Sequence, residues 1–168
     1  CALPNLIKQP IPDRLKGVEI EEFYAAINHV KASPILVEAD EVTYNLHIML
    51  RFELEQELVK GELDVDDLPA RWNDSMEHYL GIQPETDSCG VLQDIHWSSG
   101  LIGYFPTYTL GNLYAAQIIA CARESIPGLV GAIGRGEFGS LLNWLREQIH
   151  AQGSRHTATE LIEMVTGT

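Results

Sequence analysis

VEADEVTYNLHIMLRFELEQELVKG, residues Val37–Gly61, carries the strongest helical signal in the chain, and the fold is read outward from it. No glycine or proline interrupts Val37–Lys60, and Gly61 stands where a helix C-terminal stop belongs. At 3.6 residues per turn, Val42, Leu46, Met49 and Leu50 form one apolar stripe, while Tyr44, Ile48 and Phe52 form a second. Two stripes imply packing on two sides. Between them Asp40, Thr43, His47 and Arg51 share one polar line, which either faces solvent, satisfies its own groups in a core, or serves a site.

On the N-terminal side, Ile20, Phe23, Tyr24, Ile27 and Val30 recur at helical steps until Ser33 and Pro34 break them. Pro4, Pro10 and Pro12 predict an irregular entry segment over Cys1–Lys16, read as a connection to something upstream. On the C-terminal side, the acidic run Asp64–Asp67 with Pro69 starts a helix through Arg71 to Leu80, and Gly81 ends it. Gly90 to Tyr108, with Gly100, Gly103, Trp97, Tyr104, Phe105 and Pro106, lacks helical periodicity and predicts a long loop with room for a small β element. Further helices are predicted over Leu110–Glu124, closed by Ile126-Pro127-Gly128, then near Phe138–Ala151 and Thr159–Val165. The layout is all-α, one helical segment over residues 1–168 without internal repeats.

Composition narrows the function. A 45% hydrophobic share in 168 residues suits a packed globular chain. Acidic residues outnumber basic ones 24 to 11, and a net charge of −13 repels phosphate backbones and anionic membranes, so neither nucleic acid nor membrane is expected as a partner. Cys1, Cys89 and Cys121 show no paired spacing, which fits a reducing cytoplasm.

The chemistry-bearing groups concentrate in the loop: Gln93, Asp94, His96, Tyr104 and Tyr108. An imidazole can donate to a peptide carbonyl or a developing oxyanion, and a phenol can do the same without adding charge at neutral pH. A structural loop with satisfied polar groups is the plainer reading of the same residues. His156 and Glu160, four apart, are only a two-ligand pair, whereas zinc takes three or four ligands.

GVLQDIHW (Gly90–Trp97) matches the G-x-x-Q-D-x-H-W signature of the thermostable zinc carboxypeptidases, metallopeptidase family thirty-two, and GYFPTYTLGNLYAAQ (Gly103–Gln117) continues the likeness. VEADEVTYNLH (Val37–His47), LRFELE (Leu50–Glu55) and GEFGSLLNWLREQIH (Gly136–His150) are similar to the same family. The resemblance implies the C-terminal portion of a helical gluzincin of the neurolysin-like class, whose HExxH segment is absent here and is expected in a missing N-terminal portion. It further implies a cytoplasmic homodimer that releases single C-terminal residues from peptide substrates, with zinc or cobalt as cofactor and no metal ligand in this chain. By that resemblance His96 and Tyr108 are the candidate oxyanion donors, with Tyr104 in reserve. Gln93, Asp94, Asp40 and Arg51 are candidate substrate-binding or supporting groups, Gln93 and Asp94 orienting His96. The family pattern I-R-x-x-A-D falls on Ile35–Asp40 with Leu36 in place of the arginine, which leaves open whatever that guanidinium would bind. A peptide-binding or dimerisation module derived from such a peptidase, and a purely structural helical piece with one side uncovered, are the competing readings.

Overall fold

The computed structural model describes residues 17–167, so the proline-rich entry and Cys1 lie outside the described residues. Seven α-helices are described: α1 Ile20–Ile27, α2 Tyr44–Lys60, α3 Leu68–Leu80, α4 Pro106–Ser125, α5 Leu129–Gly134, α6 Gly139–Gln148 and α7 Ala158–Thr166. Among the described residues there is no β-strand, so the loop's room for a β element is filled instead by turns and a 3-10 turn at Trp97–Ser99. The described residues divide into two compact units, one of residues 24–111 and one of residues 17–23 with 112–167.

The 24–111 unit is built on α2. Asp40 fixes where this helix starts: its Oδ1 accepts the N–H groups of Val42 and Thr43, both at 2.9 Å, and its carbonyl accepts Tyr44 N–H at 2.9 Å. Those donors would otherwise be orphaned at a helix N-terminus. The helix is therefore shorter than Val37–Lys60, because a 3-10 turn at Leu36–Glu38 and this cap occupy its first part. Gly61 closes it in the left-handed conformation, φ 72°, as the sequence reading expects.

The buried face of α2 differs from both predicted stripes. His47, Ile48, Leu50, Arg51, Leu54 and Glu55 are buried, whereas Val42, Met49 and Phe52 are exposed. From Thr43 through His47 to Arg51 the polar line points inward, with Asp40 half-buried at its start, and the solvent-facing reading of it is corrected. Leu50 and Leu54 pack with Leu68, Trp72 and Met76 of α3, each fully buried leucine contributing about 1.5–3 kcal/mol. A second cluster joins Leu36, Ile48 and Phe105, and Trp97 packs against both.

In the other unit, Ala122, Leu129 and Ile162 are buried, and the Cys121 thiol donates to the Val165 carbonyl at 3.2 Å. Thr157 and Glu160 form a reciprocal capping box at the start of α7.

Candidate functional site

His96, Tyr104 and Tyr108 come together. Gly100 and Gly103 adopt φ of 74° and 78°, which turns the chain back so that Tyr104 follows His96 in space as well as in sequence. Leu101 N–H closes that turn on the His96 carbonyl at 2.9 Å. Pro106 opens α4, where a missing N–H costs nothing, so Tyr108 sits on the first turn of a helix and not in the loop. The predicted start at Leu110 is corrected by one turn.

His96 Nε2 and the Tyr108 hydroxyl are 3.2 Å apart. The imidazole stacks on Tyr104 with ring centroids 5.6 Å apart, and Phe105 lies 4.5 Å away beneath it. Tyr108 meets Tyr104 and Tyr44 edge-on, at 5.4 and 6.5 Å. Burial, and then the neighbouring Tyr104 and Tyr44 phenols, push the Tyr108 hydroxyl above its ordinary range, so it remains a protonated donor at neutral pH. His96 Nδ1 is buried and has no hydrogen-bond partner among the described residues.

Gln93 and Asp94 do not bond to His96, which corrects their expected role as its orienting groups. The Gln93 side chain accepts Leu36 N–H at 2.9 Å and donates to the carbonyls of Pro34, Cys89 and Gly90, clamping the loop to the 34–36 segment. Asp94 accepts the Arg51 Nε–H at 2.7 Å. Arg51 has no exposed surface, donates to the His47 carbonyl at 2.9 Å, and lies over Trp72 and Phe105 at 4.6 and 5.6 Å. It therefore supports the loop from inside and presents no face to a substrate. Asp40 serves as a helix cap; its carboxyl is held below the usual range by the Thr43 and Lys31 backbone N–H groups.

Sequence reasoning assigned no role to Glu55, whose carboxylate accepts the Trp97 indole N–H at 2.9 Å and the Gly103 backbone N–H. The signal was present: Thr43, His47, Arg51 and Glu55 are spaced at four, so the polar line extends one turn further. His47 is neutral, its pKa depressed to about 4 by burial and then by the Arg51 charge.

A resident zinc does not fit these residues. Among the described residues no three of His, Cys, Asp and Glu converge on a common point. Glu160 of the sequence pair is taken up by Thr157, whose N–H and hydroxyl it accepts at 2.8 and 2.9 Å.

Residues 2–168 match the family model of the carboxypeptidase Taq (M32) metallopeptidases. The chain belongs to this family. It is 52% identical over 153 residues to thermostable carboxypeptidase 1 of Thermus thermophilus, a match covering 91% of the chain and 30% of that protein. Carboxypeptidase 1 of Bacillus subtilis is 44% identical over 161 residues, covering 96% and 32%. The fold superposes on the M32 carboxypeptidase of Deinococcus radiodurans with a TM-score of 0.94 at 44% identity, covering 99% of this chain and 34% of that one. Metallocarboxypeptidase 1 of Trypanosoma cruzi gives 0.90 at 36% identity, covering 98% and 35%. The chain thus spans about a third of the length of the M32 proteins it matches, and it is the C-terminal part that the G-x-x-Q-D-x-H-W signature pointed to.

Proposed function

We propose that this chain supplies the oxyanion-stabilising side of a zinc carboxypeptidase that removes single residues from peptide C-termini. The observation that carries the reading is the His96–Tyr108 pair at 3.2 Å, with His96 in the Gly90–Trp97 stretch and Tyr108 in the Gly103–Gln117 stretch that resemble the family. With His96 Nε2–H donating to the Tyr108 oxygen, the phenol hydrogen is left to donate to the oxygen that gains charge as the peptide bond is attacked. Such a donor acts without changing its own protonation, which suits a phenol whose pKa is raised. Tyr104, stacked on His96 and 43% exposed, is the second phenol in reach of the same space.

A zinc or cobalt ion bound in such an enzyme would supply Lewis-acid polarisation of the scissile carbonyl and activation of water. Its ligands belong in this reading to the N-terminal portion. The same reading makes the whole enzyme a cytoplasmic homodimer. Among the described residues no helix is long and apolar enough to cross a membrane. Large apolar side chains at Val42, Met49, Phe52 and Leu110 stand exposed, which suits a chain that is one part of a longer protein.

One observation favours a non-catalytic peptide-binding or dimerisation module: Leu36, in the arginine position of the family pattern, is buried against Ile48 and Phe105. The two readings separate on a blocked dipeptide. The full-length protein loaded with zinc is expected to hydrolyse it, while the isolated 168-residue chain binds no stoichiometric zinc and releases no product. A full-length protein that binds zinc and peptide without turnover would establish the binding module instead.

A further inference from the structure

Glu55 is 5% exposed, and a carboxyl group so placed is unfavourable unless its oxygens are satisfied. Both are satisfied by the loop. Oε2 takes the Trp97 indole N–H at 2.9 Å and Oε1 takes the Gly103 backbone N–H. Trp97 directly follows His96, and Gly103 directly precedes Tyr104. One carboxylate therefore ties the two ends of the segment that separates the stacked imidazole from its phenol.

Backbone bonds such as Leu101 N–H to the His96 carbonyl close the segment on itself, whereas Leu101 and Ile102 are 43% and 56% exposed, so its far end is tied to α2 through Glu55. One turn earlier on the same helix, Arg51 holds Asp94 at 2.7 Å, so His96 lies between two points fixed by α2. Gly103 at φ 78° directs its N–H toward Glu55, and a Cβ added there would stand 4.0 Å from Oε1. The indole that Glu55 holds is set edge-on against Trp72 and Phe105, with centroids 6.3 and 5.8 Å away, which fixes the plane in which the Trp97 N–H can point.

We propose that Glu55 is a positioning residue of this site: by joining Trp97 and Gly103 it sets the distance and angle between His96, Tyr104 and Tyr108. The inference rests on the oxyanion role given to His96 and Tyr108. Glu55 touches no reacting group, so its effect passes through geometry alone, where small displacements of a reacting pair cost up to about 100-fold in rate.

The test uses the zinc-loaded full-length enzyme and blocked-dipeptide hydrolysis. Glu55→Gln keeps the volume but turns one acceptor into a donor facing an N–H; Trp97→Phe keeps an aromatic ring and removes one donor. In either variant kcat is expected to fall at least about tenfold, with KM within about twofold and zinc content unchanged. In a Tyr108→Phe background the same changes should cost less than about twofold, because the group being positioned is already gone. Wild-type kcat in both variants, or equal losses in both backgrounds, would overturn the proposal. Should Glu55→Gln fail to fold, Trp97→Phe carries the same cycle. Full turnover by His96→Ala would sink the site reading itself, whereas loss in His96→Ala with normal turnover in Glu55→Gln and Trp97→Phe sinks this inference alone.

Discussion

His47 has no exposed surface, and its Nε2 has no partner among the described residues, so a proton placed there meets both desolvation and the Arg51 charge. Its pKa of about 4 in the fold lies below the ordinary 6.5. The unfolded chain thus takes up a proton as pH falls through 6.5 while the folded chain does not, and stability present above 6.5 is lost between 6.5 and about 4. Urea midpoints measured at about pH 7 and about pH 4.5 should fall further for wild type than for His47→Gln. Equal falls would contradict the assignment. At this scale the sequence resemblance named His96, Tyr104 and Tyr108, which do converge, but it could not say which donors Gln93 and Asp94 meet. Those partners, Leu36 N–H and Arg51, are distant in sequence, and no local pattern connects Gln93 to a backbone N–H across 57 positions.

Helix punctuation was more legible than helix faces. Gly61 and Gly81, marked as stops, both close their helices at positive φ, and Ile126-Pro127-Gly128 follows the end of α4. The short helix Leu129–Gly134 was not foreseen, since Gly131 and Gly134 weaken its helical signal. The apolar stripes of α2 were misjudged at Val42, Met49 and Phe52, which stand exposed, while the polar line, left open between solvent and core, turns inward because Arg51 pairs with Asp94 and Glu55 accepts the Trp97 N–H. Two glycines test the element-scale account. At Gly61 φ is 72° and a Cβ added there would meet no atom within 4 Å, so Gly61→Ala should destabilise by about 1 kcal/mol through backbone strain alone. Gly111 lies inside α4 with equally open space and no positive φ, so Gly111→Ala should stabilise by about 0.5–1 kcal/mol. Denaturant midpoints of the two variants moving the same way would refute this distinction.

Over the whole molecule, each unit has its own buried residues, Leu50, Leu54, Trp72 and Met76 in one and Ala122, Leu129 and Ile162 in the other. The all-helical class and the family were readable because the Gly90–Trp97 signature and the surrounding helices are contiguous in sequence. The division into two units was not, since no linker or composition shift marks Gly111–Asn112, which fall inside a continuous helix. In the proposed reading, the chain's contribution to catalysis reduces to the Tyr108 hydroxyl at the start of α4, held in place by His96. The decisive measurement is turnover against zinc content for His96→Ala and Tyr108→Phe in the full-length enzyme. The expected result is a loss of about 100-fold or more in kcat with metal occupancy unchanged, as removal of an oxyanion donor gives. Variants that lose their zinc, or that turn over at the wild-type rate with it bound, would contradict the account.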